Sequence, residues 1–242
     1  AAYINSAEKL GIKLLLPDIN ESYSKFTVKE DTIRFGLAAI KNVGYNVVES
    51  IVKARNEKGK FTSLQDFCNK MDFSSINKRA VESLIKSGAF DSFNVYRSRL
   101  LAVHEKVMDS VAGDKRRNID GQMNLFIDLN ENVSIPEVTY PQINEFKKNY
   151  ILTMEKEMTG LYLSGHPLDD YKESIKLQTS TTIDKIMATK EVLEEDIHDV
   201  LTVGMSGYKE DSIEDGTRVV VAGIISYVSR KVTRNNTMMA FV

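Results

Sequence analysis

Two stretches of this 242-residue chain repeat one arrangement of residues, and the arrangement suits capture of an anion by main-chain amides. Ile40-Lys41-Asn42-Val43-Gly44-Tyr45-Asn46-Val47-Val48-Glu49-Ser50-Ile51-Val52 aligns without gaps with Phe73-Ser74-Ser75-Ile76-Asn77-Lys78-Arg79-Ala80-Val81-Glu82-Ser83-Leu84-Ile85, and the equivalent Val43 and Ile76 stand 33 residues apart. In each copy a short polar turn leads into an amphipathic helical pattern. The first N–H groups of a helix have no intrahelical acceptor and carry partial positive charge, so a turn open to solvent can aim them at an oxyanion. A bulky side chain would block that approach. Glycine allows it, and asparagine is the residue that best tolerates left-handed backbone angles after glycine, which singles out Gly44, Asn42 and Asn77. Lys41, Lys78 and Arg79 stand where they could neutralise the anion, and Val43, Asn46, Ser75 and Ile76 complete the candidate contact set. The competing reading is two plain corners of a helical bundle, with glycine and asparagine serving only the turns.

Charge distribution favours the anion. The net charge is −2, yet from Arg34 to Arg99 the chain holds twelve Lys/Arg against six Asp/Glu, and from Leu100 to Val242 sixteen against twenty-three. A local basic excess is the footprint of one module that meets phosphate while the remainder does not. Contacts of this kind go to a nucleic-acid backbone, and so predict binding that is indifferent to base sequence and sensitive to salt.

Other chemistry finds little support. His104, His166 and His198 are scattered, and with the single cysteine, Cys68, they make no zinc set. Cys68 has no internal disulfide partner, which suits a reducing compartment such as the cytoplasm. No glycine-rich phosphate loop with its lysine is present. Asp169-Asp170 and Glu194-Glu195-Asp196 could hold magnesium in principle, but they fit solvated helix ends better. The longest apolar runs, such as Val219 to Ile225, fall far short of the roughly 20 residues of a membrane span. The start, Ala1-Ala2-Tyr3-Ile4-Asn5, has no signal-peptide pattern and reads as a cut inside a longer protein.

Several elements must position the repeat. Ala1 to Leu10 has helical spacing that stops at Gly11. Lys25-Phe26-Thr27-Val28 and Thr32-Ile33-Arg34-Phe35 flank a charged turn and predict a β-hairpin. Leu37 to about Lys106 predicts helices joined by tight turns, with Thr62-Ser63 capping a helix that runs to Met71. Asp109 to Pro141 reads as a linker. Gln142 to about Leu163 predicts a helix ending at Gly165-His166-Pro167, and a second helical patch falls at Ile183 to Glu195. Arg218 to Val228 and Met238 to Val242 predict two strands about the turn Thr233 to Thr237.

Both repeat copies resemble the helix-hairpin-helix motif, and together its tandem form, although only Gly44 keeps the expected glycine; Asn42, Ser75 and Asn77 depart from it. The wider string, Pro17-Asp18-Ile19-Asn20, then Ile33 to Gly44 (IRFGLAAIKNVG) and Leu84 to Asp91 (LIKSGAFD), resembles the segment after the catalytic region in alpha subunits of bacterial DNA polymerase III. Glu157 to Tyr171 (EMTGLYLSGHPLDDY) is similar to the segment leading toward that family's OB domain. Gln122-Met123-Asn124-Leu125-Phe126 resembles its sliding-clamp peptide; the competing reading has Leu125 and Phe126 tucked back onto the helices.

The resemblance implies a mainly α fold: a tandem helix-hairpin-helix domain, then a linker, then an α/β remainder ending in a partial OB-type β-hairpin. Its divisions would be residues 1–36 closing the fingers region, 37–108 binding double-stranded DNA, 109–141 a linker with the clamp peptide, 142–200 a helical connector, and 201–242 an incomplete OB fold. Implied partners are double-stranded DNA, the bacterial sliding clamp (beta subunit) and other polymerase III holoenzyme subunits, with single-stranded DNA a candidate for the complete OB domain, where Tyr227, Arg230, Lys231 and Arg234 could contact it. The family's reaction is nucleotidyl transfer with magnesium. Its catalytic carboxylates are implied to lie upstream, so no catalytic residue, metal ligand or cofactor is assigned to this chain. Two other classes stay open: a helix-hairpin-helix repair enzyme such as a glycosylase, using a lysine and an aspartate such as Lys86 and Asp91, and a protein-interaction scaffold.

Overall fold

The computed structural model describes residues 7, 10–119, 138–187, 213, 216–225 and 227–241. The chain divides into two compact units, Ala1–His166 and Pro167–Val242. The described part is mainly helical. Of the first predicted helix, residues 1–6, 8 and 9 lie outside the description. The stop at Gly11 is present, with φ 79° and the Ile12 N–H bonded to the Ala7 carbonyl at 2.9 Å.

The first unit opens with a three-stranded sheet. Strands β2 (Thr27–Lys29) and β3 (Thr32–Arg34) form the expected antiparallel hairpin, with Glu30 at positive φ in its turn. Strand β1 (Lys13–Leu15) adds parallel to β3; three residues without alternation gave no signal of it. Gly36 then takes the chain across residues 24–26 so closely that a Cβ would lie 2.6 Å from the Lys25 carbonyl carbon. Pro17–Asn20 is a structural turn. The Asp18 carboxylate accepts from Asn20 N–H, and the Asn20 amide exchanges two 2.8 Å bonds with the Phe61 main chain. Buried Arg55 donates to the carbonyls of Ile19 and Ser22. Residues 19, 35, 37 and 40 therefore share one core with the helices that follow.

Those helices are α1 (Tyr45–Lys58), α2 (Leu64–Lys70), α3 (Lys78–Lys86) and α4 (Arg97–Ile119). Val48, Ile51, Leu64, Phe67, Val81, Leu84, Ile85 and Leu100 fill their centre, with Phe61, Phe67, Phe90 and Phe93 in successive ring contacts. The α2 cap is reciprocal: Ser63 Oγ accepts from Asp66 N–H at 3.1 Å, and the Asp66 carboxylate accepts from Thr62 N–H at 2.9 Å. Burial acts to raise the Asp66 carboxyl, but the bonds from Lys70 and Thr62 hold it below the ordinary range. Burial pushes the Cys68 thiol up to about 12, leaving it a packing residue.

Helix α4 corrects the linker boundary at 109. Val107, Met108 and Val111 keep a buried face going into the polar stretch, and Lys115 Nζ reaches the carbonyls of Cys68 (3.2 Å) and Met71 (2.6 Å) at the end of α2. Charges that read as a linker are thus partly helix, because one lysine satisfies another helix's carbonyls.

The next helix is shorter than expected. Helix α5 spans Lys148–Thr159 and ends at Gly160, φ 79°, rather than at Gly165. The residues before it lie against the start of α4 because the Glu145 carboxylate caps that helix, accepting from the N–H groups of Arg97 (2.7 Å) and Ser98 (3.1 Å). Ser98 Oγ and Arg99 Nε hold the carbonyls of Asn144 and Ile143. Below this seam the Arg97 guanidinium forms a fork with Asp91 (2.9 and 2.6 Å) and a bond to the fully buried Glu155 (3.1 Å). The other Glu155 oxygen accepts from the N–H groups of Leu163 and Ser164. Burial alone would lower the Arg97 pKa; the two carboxylates outweigh it, and the pKa is raised.

In the second unit a 3-10 turn, Asp169–Tyr171, leads into α6 (Lys172–Gln178), and residues 183–187 are helical; the remainder of the predicted patch to Glu195 lies outside the described residues. Strands β4 (Ser229–Val232) and β5 (Met238–Phe241) form an antiparallel hairpin. This corrects the strand expected over 218–228. The turn from Thr233 to Thr237 sets a register in which only the residues just before Thr233 face β5, while Val220 instead pairs with Ser180.

Breaking the Arg97 network should be costly, since it would leave a buried charge without its partner. Glu155→Ala is expected to lower the unfolding free energy by about 3–5 kcal/mol, and Glu82→Ala, at the surface pair with Lys86, by less than about 1 kcal/mol. Urea denaturation checks this, and equal losses would contradict it.

Candidate nucleic-acid interface

The two repeat copies fold alike and end differently. In both, the apolar residue of the turn is an anchor: Val43 and Ile76 are buried, so their side chains cannot serve as contacts and only their main chain could. In the first copy Asn42 takes φ 63°, the left-handed conformation its residue type allows. Its neighbour Lys41 fastens the turn through N–H to the Met158 carbonyl on α5 at 2.8 Å. Gly44 then opens α1 in extended conformation, and no side chain caps the helix. Lys41, Asn42, Gly44, Tyr45 and Asn46 are all exposed, so the first-turn amides of α1 face solvent beside a lysine.

Among the described residues nothing asks for glycine at position 44. Its φ is −73°, open to any residue, and a Cβ there would meet none of their atoms within 4 Å. Gly36, by contrast, is required by the backbone it crosses.

The second copy is closed. Asn77 has φ −127°, not the left-handed angle expected of it, and its side chain accepts from Ala80 N–H at 2.9 Å. It is an ordinary helix cap and occupies one of the amides an anion would need. Ser75 N–H bonds to the Asp72 carbonyl, and the Asp72 carboxylate, held ionised by the Ser74 N–H, adds a negative charge to the turn. Lys78 pairs with Asp109 at 2.8 Å and stands 3.9 Å from Glu105, and its pKa is raised, first by the Asp109 bond. Arg79 differs. It is exposed, and no ion pair engages it among the described residues.

A shallow cleft joins the copies. Lys41 and Asn42 line it from the first, Arg79 and Ser83 from the second, with the Glu82–Lys86 pair (2.8 Å) and Glu157 at its walls. The Asn42 amide donates to Ser83 Oγ at 3.1 Å across it. Sequence reasoning missed Ser83. The repeat aligns it with Ser50, but no pattern says which serine meets the other hairpin. The clamp-peptide candidates Gln122, Met123, Asn124, Leu125 and Phe126 lie outside the described residues, so the structure brings nothing to them.

The glycosylase reading loses its pair. A nucleophilic lysine needs a depressed pKa, whereas Lys86 is bonded to Glu82, which raises its pKa, and Asp91 is held by Arg97. Among the described residues no three His, Cys, Asp or Glu side chains gather as a metal set, and no helix is long and apolar enough to cross a membrane.

A helix-hairpin-helix motif profile matches residues 11–100, taking in the sheet, α1 to α3 and the start of α4. Paired hairpins on a shared helical core define the chain as a helix-hairpin-helix protein. Along 97% of its length it is 37% identical to the DNA polymerase III subunit alpha of Mycobacterium leprae. Along its full length it is 36% identical to that of Saccharopolyspora erythraea, and over 78% of its length 38% identical to that of Borreliella burgdorferi. The chain belongs to the DNA polymerase III alpha subunit family. It spans about a fifth of the length of the relatives it matches, 18% of the first and 19% of the second.

The two glycines separate a fold requirement from a surface one. Gly44→Ala is expected to change stability by less than about 1 kcal/mol, and Gly36→Ala to cost roughly 1–3 kcal/mol through forced backbone movement. Thermal melts of both variants check the contrast.

Proposed function

We propose that this chain grips duplex DNA through the hairpin at Asn42–Asn46 and supports processive synthesis by the polymerase to which it belongs. The observation that carries the reading is Gly44: a glycine the fold does not use, at the mouth of an uncapped helix whose amides face solvent. A phosphate approaching those amides would meet any Cβ placed there, so the missing side chain serves an outside ligand. Lys41 neutralises the charge, and Arg79, across the cleft, meets a neighbouring phosphate of the same strand. Asn77 and Lys78, both engaged within the protein, take no direct part.

The catalytic carboxylates and their magnesium belong to another part of the parent polymerase, and this chain performs no nucleotidyl transfer by itself. Gln122–Phe126 is the sliding-clamp peptide in this reading, with Leu125 and Phe126 as apolar anchors and Gln122 setting register. Its modest affinity is raised by effective concentration once the hairpins hold DNA. The hairpin of β4 and β5 belongs to an OB fold that contacts the single-stranded template, and the work is done in the cytoplasm with other holoenzyme subunits.

Fluorescence anisotropy with a labelled duplex tests the grip. Binding is expected to weaken steeply with salt and to be indifferent to sequence. Gly44→Val should abolish most of it, and Lys41→Ala should lower the salt slope by about one. Salt-independent binding, or binding unchanged by both variants, would sink the assignment.

The clamp contact is tested separately by surface plasmon resonance against a bacterial sliding clamp. Alanine at both Leu125 and Phe126 is expected to remove roughly 3 kcal/mol or more, about two decades in affinity, and to leave duplex binding intact.

A further inference from the structure

We infer that the second copy, beyond its Arg79 contact, acts on DNA through the first: Ser83 is a positioning residue that sets the Asn42 turn for phosphate capture. The inference rests on the duplex-binding reading above and assigns the second hairpin a mechanical part in it. Three hydrogen bonds determine how the turn before α1 is held. One is internal, from Val43 N–H to the Ile40 carbonyl at 3.1 Å. A second comes from α5, where the Met158 carbonyl takes Lys41 N–H at 2.8 Å. The third comes from α3, through Asn42 Nδ2 and Ser83 Oγ at 3.1 Å.

The third bond explains the residue type at position 42. A left-handed φ of 63° is cheapest for glycine and costs other residues about 1–2 kcal/mol. Asparagine accepts that strain and supplies what glycine lacks, an amide that reaches across the cleft. Ser83 is 2% exposed, whereas Asn42 is exposed, so an otherwise buried hydroxyl is satisfied from the surface turn itself. Loss of the bond frees the turn that aims the α1 amides without removing any charge.

A double-mutant cycle on the full 242-residue chain tests this by anisotropy with a labelled duplex. Ser83→Ala and Asn42→Gly are each expected to weaken binding roughly threefold to tenfold, with the salt slope unchanged because no cation is lost. The double variant should bind no worse than the weaker single, since both remove one interaction. Ser83→Thr, which keeps the hydroxyl, should bind within about twofold of the parent. Effects that multiply, a changed salt slope, or Ser83→Ala binding like the parent while Gly44→Val is impaired would each overturn the inference. If Ser83→Ala fails to fold by circular dichroism, Asn42→Gly decides alone, because it keeps the turn and removes only the amide; undiminished binding then overturns the proposal. Failure of the parent chain to bind duplex at all would instead refute the function reading.

Discussion

The fork between Arg97 and Asp91, with its further bond to Glu155, is the constraint on which the rest of the first unit depends. An arginine and a glutamate this deeply buried are tolerable only when nearly every donor and acceptor has a partner, and here they do. The guanidinium also donates to the Lys86 carbonyl, and Glu155 takes two main-chain N–H groups of the segment that follows α5. One cluster thereby joins the end of α3, the start of α4 and the body of α5. Met158, which holds the Lys41 turn, lies on the same helix as Glu155. The exposed turn proposed to meet phosphate so inherits its place from a buried ion pair.

The divergence of the repeat copies follows from the energetics of helix ends. A helix that starts at glycine forfeits about a few tenths of a kcal/mol that an asparagine cap would contribute. The second copy takes that stabilisation through Asn77 and Ala80, and its turn gathers an aspartate and an occupied lysine. The first copy leaves its amides open. In the proposed reading the first hairpin meets phosphate and the second supports it, and Asn77 stands where the first copy has Gly44.

The second unit poses a different problem. Its two-stranded hairpin exposes Val232, Met238 and Phe241, and an isolated hairpin is marginal in water. Apolar side chains on open strands call for cover. In the proposed reading further strands of an OB fold supply it.

The sequence by itself determined the mainly helical class, the hairpin from Thr27 to Arg34, the Ser63 cap and the repeat, though it counted Val43 and Ile76 among the contacts where the structure buries their side chains. All of these are local signals: helical spacing, turn residues and capping pairs act within a few positions. It also marked Gly44 and Lys41 as candidates through residue type alone. Tertiary structure decided what local patterns cannot carry. The reach of α4 to Ile119 depends on Lys115 finding carbonyls of α2, and the retreat of α5 to Lys148 on Glu145 leaving to cap α4. Asn42 and Asn77 are the same residue type in nearly the same motif, yet one is left-handed and bonded to Ser83 while the other caps its own helix. Their roles differ because their neighbours come from segments about 40 residues away or from the next turn, and only the packed chain chooses between them.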